Sequence, residues 1–239
     1  MPGKTVLVTG ASQGIGAAIV RAFLDRGYCV VATSRSVSKA GFAASSQLAL
    51  VDGDIGEAAT AENVVRTAVD AFGSIDHVVN NAGIYTSKAF TDYTAEDFQA
   101  LVSTNLGGFL WITQLAVKQM LVQGRGGSVT TITASLADNP IAGVPASVAM
   151  ITKGGLNTAT LSLANEYAKE RIRFNAVAPG VVDTPLHRKG PNDVVQARSA
   201  MGTVSEPKDI AEAVVYLAEA GHVTGEVLHV DDGAHLGRW

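Results

Sequence analysis

The chain has 239 residues, of which 47% are hydrophobic and 17% are charged, so a folded domain with a sizeable core is expected rather than a disordered chain. The formal net charge is -4 and lysine and arginine form no long cluster, which argues against nucleic acid or an anionic membrane as the main partner. The single cysteine, Cys29, excludes an internal disulfide and lies in an apolar stretch typical of a buried thiol. No uninterrupted apolar run approaches the ~18 residues of a transmembrane helix and the first residues contain no apolar signal core, so a cytoplasmic protein is expected.

Short apolar runs alternate with longer helical patterns along the chain. The runs predict seven strands, at residues 6–9, 29–33, 48–51, 78–80, 128–133, 173–177 and 226–230. Apolar residues lie on both faces of these runs, as in strands buried between two layers of helices. Helical patterns separate the runs, at residues 15–26 and near 58–72, 96–121, 148–170 and 206–220.

The alternation of strand and helix predicts parallel strands joined by right-handed crossovers. The expected fold is α/β, a doubly wound seven-stranded parallel sheet of Rossmann type in a single domain over residues 1–239. Gly27 is expected to end the first helix, and Ser205 is the expected N-cap of the last one. The irregular stretch 183–203 is a candidate mobile lid.

A glycine-rich turn connects the first strand to the first helix. Residues 9–16 read Thr-Gly-Ala-Ser-Gln-Gly-Ile-Gly, with Gly-x3-Gly-x-Gly spacing. Glycines let the backbone approach a pyrophosphate closely, and the start of the helix supplies free N–H groups and a positive dipole end. The position between strand and helix favours a dinucleotide site over a simple tight connection. The residues predicted to contact the phosphates are Gly10, Ser12, Gln13, Gly14, Ile15 and Gly16.

The end of the second strand selects between the two nicotinamide dinucleotides. An acidic residue there would bind the ribose 2′-hydroxyl of NAD(H), but the sequence has Ser34 and Arg35, whose hydroxyl and guanidinium suit a 2′-phosphate. NADP(H) is therefore the expected cofactor, the alternative being that Arg35 is an ordinary surface charge. After the third strand, Asp54 and the adjacent Ile55 are predicted to meet the adenine, unless Asp54 only forms a turn next to Gly53.

Four segments in order resemble the short-chain dehydrogenase/reductase family over nearly the whole chain. They are the loop at 9–16, Asn80-Asn81-Ala82-Gly83, residues 172–180 followed by Thr184, and residues 224–234. The resemblance implies a homotetramer or homodimer that acts on a small-molecule substrate, and no metal site is expected. It also assigns cofactor contacts to Asn81, Ala82, Gly83, Lys153, Pro179, Gly180, Val182 and Thr184.

The family's chemistry uses a tyrosine four residues before a lysine, together with a serine and an asparagine. One helical turn separates the first two, so the ammonium lowers the phenol pKa while the phenol donates a proton to the carbonyl. The resemblance assigns the lysine to Lys153, the asparagine to Asn105 and the serine to Ser135, which lies one residue out of the usual spacing. The tyrosine position holds Ala149, and a methyl group cannot donate a proton.

Two functions are open at this point. The chain is either an NADP(H)-dependent oxidoreductase with a rearranged proton donor, or an NADP(H)-binding sensor or partner subunit with little turnover. In the first case a bound water, Tyr85 or His187 supplies the proton, and the loss of one acid typically costs about 10²–10⁴-fold in rate. The segments 85–95, 136–147 and 183–203 predict a small or medium, mainly apolar carbonyl or alcohol substrate. The length, the strand number and the glycine spacing disfavour a flavodoxin-like binding module.

Overall fold

Seven parallel strands, all within the described residues, form a single sheet. The computed structural model describes residues 3–185 and 199–236, so most of the stretch 183–203, including His187, lies outside the described residues. The strands are β1 Thr5–Thr9, β2 Cys29–Ser34, β3 Leu48–Asp52, β4 His77–Asn80, β5 Gly127–Ile132, β6 Ile172–Pro179 and β7 Val227–Val230. Their order is β3-β2-β1-β4-β5-β6-β7, and every adjacent pair is parallel, which confirms the predicted fold class.

The strand order reverses between β1 and β4. The chain first builds the sheet outward from β1 to β3 and then returns to the other side of β1. In a parallel α/β sheet such a reversal opens a crevice at the carboxyl ends of the strands. All five residues of β1 are buried, which explains why this strand is apolar on both faces.

Helices cover the sheet on both faces. In the described part of the chain they are α1 Gly14–Leu24, α2 Ala58–Phe72, α3 Ala95–Leu101, α4 Gly108–Gln123, α5 Ser147–Glu166 and α6 Pro207–Glu219. The predicted helix 96–121 is one rod in which Val102–Gly107 forms a π-helical segment between α3 and α4. The predicted helix 148–170 ends earlier, at Glu166.

The start of α6 differs from the prediction. Its N-cap is Glu206, whose backbone N–H donates to the Asp209 carboxylate at 2.7 Å, so the prediction of Ser205 is wrong. Ser205 lies one residue earlier because its backbone forms a parallel bridge with Val182. Gly27 has a left-handed φ of +79°, as expected, although α1 ends before it.

Each face of the sheet carries its own hydrophobic core. On one face α1 and α6 pack around Phe23 and Val214, and on the other α2 and α4 pack around Ile112 and Met120. Burying one large apolar side chain contributes about 1.5–3 kcal/mol to the stability of the fold.

Cys29 is a free, buried thiol whose pKa is raised by burial, which makes it a packing residue rather than a reactive one.

The rod Ala95–Gln123 is long and apolar enough, by length and composition, to cross a membrane. Its residues Ile112, Ala116 and Met120 are fully buried in the core, as in the core helix of a globular domain. On its other side Val122 is 82% exposed. The apolar composition therefore serves the core on one side and leaves an apolar surface on the other.

Candidate active site

Glycines shape the loop between β1 and α1. Gly10 and Gly14 have φ of +64° and +53°, in the left-handed region that favours glycine. A Cβ on Gly16 would overlap the carbonyl oxygen of Gly10, so no larger residue fits there without moving the loop. At the start of α1, Gln13 makes no side-chain capping hydrogen bond and the first turn has no acidic residue. The first N–H groups of α1 and its positive dipole end can therefore receive an anionic phosphate.

The side chain of Asn81 anchors this loop to the end of β4. Its Nδ2 donates to the carbonyl oxygens of Thr9 at 2.9 Å and of Gly10 at 3.1 Å. In return, Thr9 Oγ1 accepts hydrogen bonds from the backbone N–H groups of Asn81 and Ala82, at 3.1 and 3.0 Å. The loop is thus held in shape by the protein itself.

One cleft of about 630 Å³ lies at the carboxyl ends of the strands. It is lined by every residue that the sequence predicts to contact the cofactor, namely Gly10, Ser12, Gln13, Gly14, Ile15, Gly16, Ser34, Arg35, Asp54, Ile55, Asn81, Ala82, Gly83, Lys153, Pro179, Gly180, Val182 and Thr184. Ser135 lines it too, whereas Asn105 does not. These predicted contacts are therefore neighbours in space, and their binding roles stay predictions.

The predicted adenosine end of the cleft presents a cation, and among the described residues the carboxylates beside it, Asp52 and Asp54, are both hydrogen-bonded. Arg35 is exposed at the end of β2. The acidic side chain that neighbours Ser34 across the sheet, Asp52, is held by Ser38, whose backbone N–H and hydroxyl both donate to it and lower its pKa. Asp54 accepts a 2.9 Å hydrogen bond from the backbone N–H of Gly56, so its carboxylate forms a turn as well as lining the cleft.

Lys153 and Ser135 lie together at the opposite end of the cleft. The Lys153 Nζ donates to the carbonyl oxygen of Ile132, the last residue of β5, at 2.7 Å. Burial lowers the pKa of Lys153 to about 8. Ser135 is buried and begins a 3₁₀ turn directly after β5. This end of the cleft combines an ammonium with a hydroxyl.

Asn105 is a support for the site rather than a wall of the cleft. It is 2% exposed and lies in the π-helical segment. Its Oδ1 accepts from the backbone N–H of Ile84 at 2.8 Å, and its Nδ2 donates to the Ile84 carbonyl at 3.1 Å and to Thr152 Oγ1 at 2.9 Å. Thr152 in turn donates to the carbonyl oxygen of Ala149 at 2.7 Å. The side chain predicted to be catalytic is thus fully used in joining α5 to the loop after β4.

Ala149, at the expected tyrosine position, is sealed from the cleft. It is 1% exposed and forms a small apolar cluster with Leu101 and Val148. Tyr85 and Met150 pack against this cluster and also line the cleft. The structure therefore places the phenol of Tyr85 against the cluster that contains the alanine at the expected tyrosine position.

Three residues that line the cleft, Met150, Asp231 and Asp232, were not predicted from the sequence as site residues. Met150 lies one helical turn before Lys153, and that spacing could have revealed it. Asp231 and Asp232 follow β7, so the rule that ligands bind at the carboxyl ends of parallel strands could have found them. The hydrogen bond from Asn105 to Thr152 joins residues far apart in sequence and left no sequence signal.

The cleft fits an extended dinucleotide. The glycines around Gly10 form a cradle that a Cβ would fill, and the uncapped start of α1 borders that cradle. From there the cleft continues past the ends of β1 and β4 to Lys153. A pyrophosphate would lie at the cradle, with one nucleoside toward Arg35 and the other toward Lys153.

The comparisons with known proteins extend over almost all of the chain. A family model described as enoyl-(acyl carrier protein) reductase matches residues 10–235. An uncharacterized oxidoreductase of Methylorubrum extorquens is 37% identical, with 98% of each chain covered. The L-rhamnose 1-dehydrogenase (NAD(P)(+)) of Azotobacter vinelandii is 36% identical, with 96% of each chain covered. The solved structure of ElxO with NADP bound has a TM-score of 0.89 at 26% identity, covering 99% of this chain and 100% of that chain.

Proposed function

The chain belongs to the short-chain dehydrogenase/reductase family, and from this membership we propose that it is an NADP(H)-dependent oxidoreductase for a carbonyl or alcohol substrate. The observation that supports this proposal best is the single cleft in which the phosphate loop, Lys153 and Ser135 meet. Nucleotide binding can use the ammonium of Lys153, but it would not require the hydroxyl of Ser135 at the far end of that cleft.

The roles of the residues follow from their positions. The start of α1 would hold the pyrophosphate, and Lys153 would hold the ribose of the nicotinamide half. When bound, the nicotinamide supplies a hydride to the carbonyl carbon. Ser135 Oγ donates a hydrogen bond to the oxygen on which negative charge develops, and the positive charge of Lys153 stabilises the same oxygen. Because Ala149 cannot donate a proton, the donor lies elsewhere in the site.

The preference for NADP(H) rests on the adenosine end of the cleft. Arg35 and Ser34 line it, and the Asp52 carboxylate is already engaged by Ser38. A guanidinium suits a phosphate dianion through charge-assisted hydrogen bonds. The NADP bound by ElxO and the NAD(P)(+) dependence in the name of the rhamnose dehydrogenase support the same cofactor class.

The substrate half of the cleft has apolar walls. Leu136, Ile141, Val144 and Met150 line it, with Tyr85 as a partly polar member. Such walls favour a small or medium, mainly apolar carbonyl or alcohol. The polar contacts needed to orient its oxygen come from Ser135 and Lys153.

The central test combines cofactor binding with turnover. NADPH and NADH affinities are measured by calorimetry, and oxidation and reduction rates are measured on a panel that contains cyclohexanone, ethyl acetoacetate, benzaldehyde and L-rhamnose. We expect turnover with NADP(H) on an apolar member of the panel and a loss of at least tenfold in Lys153→Ala. Tight NADPH binding without turnover on any member would overturn the oxidoreductase proposal.

A substitution of Arg35 tests the proposed preference for NADP(H) over NAD(H). Arg35→Ala should weaken NADPH binding about tenfold and leave NADH binding unchanged, because a hydrogen bond to a charged group contributes about 1.5–3 kcal/mol and exposure of Arg35 places it at the lower end. Lys39→Ala, which removes an exposed cation outside the cleft, is the matched control. Equal loss in the two variants, or equal affinity of the wild type for NADH and NADPH, contradicts the preference.

The sealed Ala149 favours a second candidate function. With no acid at its usual place, the protein would bind NADP(H) and report its level, or serve as a partner subunit, without efficient turnover. The turnover panel separates this candidate from the first.

An assembly of identical chains is also proposed. Leu110, Leu121 and Val122 of α4 are exposed, as are Ile151 and Leu161 of α5. The two helices pack on the same core of the sheet, and exposed apolar side chains on such helices are typical of a surface that is covered by another subunit. Light scattering should report a homodimer or homotetramer, and a strictly monomeric mass would contradict this proposal.

A cytoplasmic location of the protein stays a prediction.

A further inference from the structure

Reduction of a carbonyl needs a proton, and few side chains in the cleft can deliver one. In the described part of the chain the titratable residues that line it are Arg35, Asp54, Tyr85, Lys153, Asp231 and Asp232. Arg35 and Asp54 lie at the adenosine end. Asp231 accepts hydrogen bonds from two backbone N–H groups and pairs with the ring of His235, and Asp232 accepts one from Ser205. Tyr85 and Lys153 are the members that lie on the side of α5.

The backbone around Tyr85 is fixed to the catalytic end of the cleft. Both the N–H and the carbonyl of Ile84, the preceding residue, are hydrogen-bonded to the side chain of Asn105. A Cβ on Gly83 would lie 3.0 Å from Lys153 Nζ, so the ammonium rests against the backbone two residues before Tyr85. Tyr85 therefore follows directly on backbone that is held by Asn105 and contacts Lys153.

The hydroxyl of Tyr85 has no hydrogen-bond partner among the described residues. Tyr93, which packs on the same apolar cluster, donates its hydroxyl to the carbonyl of Thr86 at 2.6 Å. The ring of Tyr85 packs against the cluster that contains Ala149, and the same residue faces the cleft. A phenol with a packed ring and an unengaged hydroxyl is suited to a ligand oxygen.

We propose that Tyr85 supplies the proton that residue 149 cannot, an inference that rests on the proposed oxidoreductase function. The carbonyl carbon gains a hydride with its electron pair from the reduced nicotinamide, and the carbonyl oxygen takes the proton from Tyr85 Oη. The O–H bond of the phenol breaks as the O–H bond of the product alcohol forms. Water returns a proton to the phenolate, and Lys153 stabilises the negative charge during the step.

A pair of tyrosine variants tests this role. Using the panel member that the wild type reduces, Tyr85→Phe should lower kcat by about 10²–10⁴-fold and leave the Kd of NADPH within about twofold. Tyr93→Phe, which removes a hydroxyl from the same cluster but not from the cleft, should keep kcat within a few-fold. Melting temperatures of both variants show whether the fold is retained. A Tyr85→Phe enzyme that keeps more than a tenth of the wild-type kcat overturns the inference.

A spectroscopic measurement tests the contact without turnover. In protein labelled with ¹³C at the tyrosine ζ carbon, the resonance missing from Tyr85→Phe is that of Tyr85. When the product alcohol is added to the NADP⁺ complex, this resonance should shift and that of Tyr93 should not. An unmoved Tyr85 resonance at saturating alcohol overturns the inference.

The two proposals fail in different ways. Wild-type protein that binds NADPH but reduces no panel member overturns the oxidoreductase function. Wild-type turnover that survives in Tyr85→Phe leaves that function in place and overturns only the assignment of the proton donor.

Discussion

The three hydrogen bonds of Asn105 make Asn105→Ala a quantitative test of how the site is supported. The substitution removes the bonds to the Ile84 N–H, the Ile84 carbonyl and Thr152, in a position that is 2% exposed. Each bond contributes about 0.5–1.5 kcal/mol net, and a buried group left without a partner costs about 1–3 kcal/mol. We therefore expect a loss of about 2–4 kcal/mol in the free energy of unfolding. For a chain of this size that loss corresponds to a fall of about 4–16 °C in Tm.

The expected kinetic effect of Asn105→Ala is selective. Because Asn105 fixes the loop that carries Tyr85 and does not line the cleft, kcat should fall by a larger factor than the Kd of NADPH rises. Calorimetry gives the Tm and the Kd, and steady-state assays give kcat and KM.

A second buried amide is the matched control. Asn157→Ala removes an asparagine from α5 that donates to the Asp138 carboxylate at 3.2 and 3.3 Å and makes no hydrogen bond to the loop after β4 within the described residues. It should lower the free energy of unfolding by only about 1 kcal/mol. If Asn105→Ala is no more destabilising than Asn157→Ala, or if it weakens NADPH binding as much as it lowers kcat, the supporting role is refuted.

Two further predictions concern the loop and the lysine. Gly16→Ala places a Cβ 2.6 Å from Asn81 Nδ2 and against the carbonyl of Gly10, so NADPH binding should weaken at least tenfold. Gly154→Ala, which has open space around its Cβ, should bind NADPH as tightly as the wild type. Equal binding by the two variants contradicts the proposed role of the loop. Burial lowers the pKa of Lys153 from 10.5 to about 8, so between these values the unfolded chain binds more protons than the folded one and the folded state gains stability as the pH rises. The Tm of Lys153→Met relative to wild type should therefore fall as the pH is raised from 8 to 10, and a difference in Tm that stays constant over this range would count against the lowered pKa of Lys153.

Much of the fold could be predicted from local patterns because the sheet is buried on both faces. Strands such as β1 and β6 are buried on both faces, even where β6 carries Arg173 and Asn175, and the alternation with helices leaves parallel crossovers as the simple arrangement. The residues predicted to contact the cofactor line one cleft because the loops after parallel strands meet at one edge of the sheet. Contacts between distant segments determine features that local patterns do not predict, such as the boundaries of some elements. The bridge of Ser205 with Val182 moves the start of α6 by one residue.

In the candidate site, too, local sequence patterns predict the identity of residues but not their contacts with distant segments. Lys153 and Ser135 were predictable from their place in the chain, and both line the cleft. Asn105 was predicted by residue type, yet its role depends on partners 21 and 47 residues away. The burial of Ala149 also depends on distant side chains, since Leu101 and Tyr85 come from other elements. A motif gives the identity of a residue, and packing determines what its side chain can reach.

The sealed position of Ala149 bears on how such a chain changes over generations. A tyrosine there would have to enter a space already filled by Leu101, Val148 and the residues around them, and overpacking of this kind typically costs about 1–3 kcal/mol. A protein that carries alanine at 149 would therefore lose stability when this residue is replaced by tyrosine, before any gain in catalytic rate could be selected. Substitutions that make room would have to come first, so the neighbours of Ala149 oppose a direct return to tyrosine at this position.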